Sequence, residues 1–124
     1  MIGYVTLGTN DLPRAAAFYD AVLGVIGAKR WMESERSVAW TTGPGAPGLS
    51  LCKPFDGKAA TGGNGTMIAL AVAGPEQVDA VYAKGIELGA SDEGKPGLRG
   101  PTYYGAYFRD LDGNKICAFH IKQG

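Results

Sequence analysis

The sequence predicts an α+β fold in which two βαβββ modules form a curved mixed sheet that encloses a cup, with the helices on the outer face. Three observations predict it. Short apolar runs alternate at period two, whereas helical spacing occurs in only two stretches. The order strand, helix, three strands occurs twice. An offset of 63 residues lays one half on the other, so that Val5 meets Ile68, Leu7 meets Leu70, Tyr19 meets Tyr82 and Leu23 meets Ile86. One half alone could not cover its own sheet face, so the repeat is structural.

Each element has a local reason. Residues 2–8 alternate as a half-buried strand, with Val5 and Leu7 on one side and Tyr4 and Thr6 on the other. Thr9-Asn10-Asp11 supplies a helix cap. Leu12, Ala15, Ala16, Tyr19, Val22 and Leu23 then form an apolar stripe that Gly24 can stop. Residues 28–33, 36–42 and 48–53 read as strands, broken by the polar Glu33-Ser34-Glu35 turn and the glycine- and proline-rich loop of residues 43–48. The second module restarts with a strand at 66–72. Gly74-Pro75-Glu76 opens a helix, proline being favoured in its first turn. Val78, Val81, Tyr82 and Ile86 give its stripe, and Gly89 its end. Residues 91–102 read as loop-rich with one small strand; 103–109 and 115–121 are strands around the tight turn Asp110-Leu111-Asp112-Gly113-Asn114. The chain thus reads as one domain, with modules at about 1–56 and 64–124 and a linker at 57–63.

Composition narrows the function. Hydrophobic residues are 45% and charged residues 19% of the 124, a globular balance. Twelve basic and twelve acidic residues give a formal net charge of zero. No basic cluster suits nucleic acid or a membrane surface, and no apolar run is long enough to span a bilayer. With no basic and apolar leader, the expected location is cytoplasmic. Cys52 and Cys117 lie far apart, outside any CxxC pattern, and read as reduced thiols.

Val5-Thr6-Leu7-Gly8, Asn10-Asp11-Leu12, Ala17-Phe18-Tyr19-Asp20 and Leu23-Gly24, with the closing Phe108-Arg109-Asp110-Leu111-Asp112-Gly113-Asn114-Lys115-Ile116, resemble the glyoxalase / bleomycin-resistance / extradiol dioxygenase superfamily, also called vicinal oxygen chelate. The resemblance covers nearly the whole chain. It implies a divalent metal in the cup, held by His or Glu at the positions occupied here by Tyr4, Met67 and Cys117. None of these is the expected ligand. Such ions want imidazole and carboxylate donors on converging strands. The chain's one histidine, His120, shares a face with Ile116 and Ala118 by alternation and should point away from the cup. Asp110 and Asp112 read as turn residues rather than a calcium site.

By the same alternation Tyr4, Thr6, Met67, Ala69, Cys117 and Phe119 look inward. The third and seventh strands are expected to add Trp40 and one of Tyr103, Tyr104 or Tyr107. This aromatic lining suits a flat or partly apolar ligand. Arg99, just before Tyr103, could clamp a ligand carboxylate, or be a solvated loop residue. Lys29, Arg30 and Trp31 read as surface. Cys117 lacks a neighbouring base and is not expected to be a nucleophile.

The expected function is therefore a small-molecule-binding protein without the family metal site, like the antibiotic-sequestering members. No cofactor is needed. The second reading is a metal-dependent lyase or dioxygenase of the glyoxalase type, similar to lactoylglutathione lyase, with a divalent metal as cofactor; only the resemblance supports it. A third is an interaction protein whose cup is filled by side chains. The expected partners are a small molecule and a second copy of the chain in a homodimer, with neither nucleic acid nor membrane.

Overall fold

The computed structural model describes residues 1–123, which fall into two compact units divided between Gly62 and Gly63. Each unit is a βαβββ module with a four-stranded mixed sheet that is not closed into a barrel, so the α+β class is as the sequence predicts.

The first module runs β1 (Tyr4–Gly8), α1 (Leu12–Gly24), β2 (Lys29–Glu33), β3 (Ser37–Thr41) and β4 (Gly48–Cys52). Its sheet order is β1-β4-β3-β2, with β1 parallel to β4 and the other pairs antiparallel. A parallel pair cannot be joined by a tight turn, and the chain passes from β1 to β4 through α1, β2 and β3. Asp11 caps α1 by accepting a hydrogen bond from the Arg14 amide at 3.2 Å, and Thr9 Oγ1 accepts one from the Asp11 amide at 3.1 Å. All six residues of the expected stripe are buried, with Leu51, Val38 and Trp40 of the sheet beneath them. Gly24 ends the helix, but the reversal into β2 uses Gly27, whose φ of +81° disfavours a side chain.

Asp20 joins α1 to the sheet. Both its oxygens accept from Arg30, Oδ1 from Nε at 2.9 Å and Oδ2 from Nη2 at 2.8 Å, and Oδ1 also accepts from Trp40 Nε1 at 2.8 Å. The Arg30 hydrogen bond, helped by that from Trp40, holds the Asp20 carboxyl below the usual carboxylate range. The folded pKa thus lies below the unfolded one. The stabilisation is complete above the unfolded value, about pH 4, and is lost as pH falls through the folded value. Asp20→Asn is expected to cost about 1 kcal/mol near neutrality, since the pair is partly exposed and screened. It should also flatten the acid limb of a urea-midpoint-versus-pH curve; an unchanged limb would mean that Arg30 does not hold this carboxylate in solution.

The second module runs β5 (Met67–Ala71), α2 (Pro75–Glu87), β6 (Ser91–Leu98), β7 (Tyr103–Arg109) and β8 (Lys115–Ile121) in the order β5-β8-β7-β6. Gly74 is extended at the cap, Pro75 enters the first turn, and Gly89 at φ +106° ends α2. Val78 and Val81 are fully buried, but Ile86 is exposed. The packing position there is taken by Gly85, where a Cβ would stand 3.2–3.4 Å from the Phe108 ring. Residues 91–98 form a full eight-residue strand rather than a short piece in a loop. Its register with β7 shifts twice, around Gly94, and this irregularity with its glycines and Pro96 explains the loop-like sequence.

The stretch expected as a linker is tied to the first module. Ala60 accepts from Asn10 Nδ2 at 3.2 Å and donates its amide to Asn10 Oδ1 at 2.7 Å. Its Cβ fills the space over Gly8. Among the described residues, no helix is long and apolar enough to cross a membrane.

Candidate functional site

In the second module the strand registers sort the side chains into two faces. Ala106, Phe108, Ile116 and Ala118 pack under α2 and are fully buried. On the face turned away from α2, Cys117 lies opposite Tyr107 on β7 and beside Ala69 on β5. Lys115 lies beside Met67 and opposite Arg109, and Phe119 opposite Gly105. This face holds the densest group of reactive side chains that the sequence singled out.

Tyr103 organises it. Its ring stacks on Phe119 with centroids 5.5 Å apart and planes 2° from parallel. It can lie flat because residue 105 is glycine; a Cβ there would come within 2.7 Å of the ring. Its hydroxyl shares a 3.2 Å hydrogen bond with Cys117 Sγ. Burial, with the hydrogen bonds to Cys117 and Tyr107, holds the Tyr103 hydroxyl above the ordinary phenol range, so at neutral pH it is a neutral donor and acceptor. The Cys117 side chain is fully buried under these rings. Met67 is half-exposed beside them.

Other expected site residues lie elsewhere. Tyr104 points to the helix side, as its register with His120 requires, and its hydroxyl donates to Asp79 Oδ1 of α2 at 2.7 Å. Alternation along β7 puts Tyr103, Gly105 and Tyr107 on one face and Tyr104 on the other, so consecutive tyrosines cannot both join the group. Trp40 is 1% exposed on the helix side of the first sheet, where Asp20 holds its indole. Its ring is part of the α1 core, centroid 5.9 Å from Tyr19, and does not line the expected surface. His120 points away from the Cys117 face, with Nδ1 3.3 Å from the Val72 carbonyl.

In the first module Tyr4 and Thr6 project from the face turned away from α1, and both are exposed. Thr6 lines a cavity of about 440 Å³ with Cys52, Phe55 and Ala60. Lys29 and Trp31, which read as surface, line a larger groove of about 820 Å³ with Thr41 and the 43–46 loop. A bulge between Arg30 and Met32 turns Trp31 over Gly48, where a Cβ would meet the indole at 3.2 Å. A period-two count through an unseen bulge assigns every later residue to the wrong side, so this groove was not legible.

The donor chemistry does not fit a divalent metal of the expected kind. Tyr4 in one module and Met67 and Cys117 in the other offer a phenol, a thioether and a thiol, without imidazole or carboxylate. Among the described residues, no three His, Cys, Asp or Glu side chains converge.

Comparison with known proteins matches the model of the Glyoxalase/Bleomycin resistance protein/Dioxygenase superfamily over residues 1–118. The chain is similar to a glyoxalase/bleomycin resistance protein from Albidiferax ferrireducens, at 39% identity and TM-score 0.90, covering 98% of this chain and 99% of that one. A family enzyme from Burkholderia phytofirmans shares the fold at 19% identity and TM-score 0.78, covering 97% and 98%. A lactoylglutathione lyase from Agrobacterium tumefaciens does so at 21% and 0.70, covering 97% and 92%. No curated protein matches the sequence. With the repeated module, the fold and the family match in agreement, this chain belongs to the glyoxalase/bleomycin resistance protein/dioxygenase superfamily.

Proposed function

We propose that the protein binds a flat, partly apolar small molecule on the Tyr103–Cys117 face of the second module, without the metal chemistry of the superfamily's enzymes. The observation that carries this reading is the composition of that face. Stacked aromatic rings, a thioether and a thiol give apolar area, and the Tyr103 and Tyr107 hydroxyls give a few oriented polar groups. No side chain there is the imidazole that the family's ions prefer. The lactoylglutathione lyase fold match supports the enzyme alternative only at the level of fold, and one fold hosts many chemistries.

The test is metal retention. Protein incubated with Fe²⁺, Mn²⁺, Ni²⁺ and Zn²⁺ and then desalted should carry close to no ion per chain by elemental analysis, and binding of aromatic fragments should be indifferent to chelator. One tightly held ion per chain would overturn this reading in favour of a metal-dependent lyase or dioxygenase.

A further inference from the structure

The groove of about 820 Å³ between β2 and the 43–46 loop belongs to the first module alone. Strand register brings its parts together. Lys29 pairs with Thr41, and Thr41 with Gly48, so these three positions form one row across β2, β3 and β4. Trp40 takes the helix side of β3, so the row lies on the face turned away from α1. The bulge carries Trp31 over the same row. A Cβ on Gly48 would stand 3.2 Å from Cζ3 and 3.4 Å from Cε3 of the indole. The indole and Lys29 are thus held within two strand spacings, about 10 Å. Both line the one groove.

The charge of this groove has one source. Arg30 also borders it, but two carboxylates meet its guanidinium: Nε and Nη2 donate to Asp20 at 2.9 and 2.8 Å, and Nη1 to Glu33 at 2.8 Å. Lys29 has no such partner. Among the described residues, no carboxylate pairs with it and none lines the groove. Trp31 is 54% exposed, although tryptophan is on average well buried. The opposite wall is fixed in advance. Thr41 Oγ1 donates to the Gly43 carbonyl at 3.1 Å and accepts from the Gly43 amide at 3.3 Å. A wall already ordered loses little freedom when a ligand binds. An indole by itself attracts cations. An unpaired ammonium beside it reverses that preference, because it repels a cation and donates charge-assisted hydrogen bonds to an oxyanion.

We propose that Lys29 and Trp31 form a binding site for a planar aromatic carboxylate, with its ring on the indole and its carboxylate on the Lys29 ammonium. One ammonium on a flexible stem suits one negative charge. The site goes beyond the Tyr103–Cys117 face and stands independently of the reading given for it.

The experiment follows the Trp31 indole N–H by ¹H–¹⁵N NMR. The chain has two tryptophans, and Trp31→Leu tells this signal from that of Trp40, whose Nε1 is held by Asp20. The probes are 4-nitrobenzoate, the neutral 4-nitrobenzamide and the cationic 4-nitrobenzylammonium. Titrated at the Trp31 signal, the benzoate should bind about fivefold more tightly than the amide, the upper range for an exposed ion pair, and the ammonium most weakly. Raised salt should narrow that ranking. Lys29→Met should abolish the preference for the benzoate, with circular dichroism confirming the fold. Equal affinities, tightest binding of the ammonium, or a preference that survives Lys29→Met would overturn the site. So would a Trp31 signal that answers none of the probes, or one that follows protein concentration instead, the mark of a contact between copies. Because the readout is local to Trp31, failure here leaves the reading of the Tyr103–Cys117 face standing.

Discussion

Truncating Phe108 to alanine is expected to lower the unfolding free energy by about 3–5 kcal/mol. The ring is fully buried between β7 and α2. Tyr82 meets it edge-on, with centroids 6.5 Å apart and planes at 71°, and the bare backbone of Gly85 lies against its other atoms. Gly85 cannot move a side chain into the space the ring leaves, so most of the cavity persists and adds to the lost transfer energy. Phe108→Leu keeps much of the volume and should cost under about 1.5 kcal/mol. Phe119→Ala is the control for the face assignment. Phe119 is half-buried on the opposite side, so its loss should be much smaller. Urea unfolding followed by far-ultraviolet circular dichroism measures all three. If Phe119→Ala cost more than Phe108→Ala, the two faces of the second sheet would be reversed.

Asp110→Ala is expected to cost about 3 kcal/mol, and its cause is different. Asp110 is 6% exposed. Its Oδ1 accepts from the amides of Asp112 and Asn114, both at 2.9 Å, and its Oδ2 from Asn114 Nδ2 at 3.0 Å. Alanine would leave those donors without their acceptor at the turn that joins β7 to β8, and an orphaned buried donor costs about 1–3 kcal/mol. Asp110→Asn should recover most of the loss. It keeps one oxygen for the amides, and the Asn114 amide can flip to face the new NH₂ group. If alanine were tolerated as well as asparagine, the turn would be held by Gly113, at φ +87°, and its backbone bonds alone. The Asp-x-Asp-Gly-Asn segment thus works as a hairpin clamp, with its first carboxylate turned onto the backbone.

The superfamily assignment and the site separate cleanly. Membership follows from the repeated module and from a match that spans residues 1–118. What this chain does on that fold depends on a handful of side chains, and there it departs from the metal-binding pattern. The face with Tyr103, Cys117, Phe119 and Tyr107 combines rings with a thiol and a neutral hydroxyl. Its proposed chemistry is binding of a flat, partly apolar molecule without a metal, and metal retention tests that apart from the fold.

Much of this protein was determined by its sequence alone. Period-two and helical patterns located both helices and seven of the eight strands closely, because burial on one side of an element forces that repeat. The cap at Asp11, the first-turn Pro75 and the turn at Asp110 follow from local chemistry acting within a few residues. Alternation also placed Cys117 and Phe119 on one face and His120 on the other. The tertiary structure decided what depends on partners distant in the chain. Trp40 is a core residue because Asp20 reaches its indole from α1, twenty positions earlier. Tyr104 belongs to the helix face because Asp79 of α2 takes its hydroxyl. Trp31 turns over Gly48 through a bulge, and Arg99 and Lys115 approach the Tyr107 ring from the two sides because β6 and β8 flank β7. Periodicity records which side of its own strand a residue occupies. It carries no record of what stands opposite, and aromatic residues with a polar tip satisfy either face until a partner for that tip is in place.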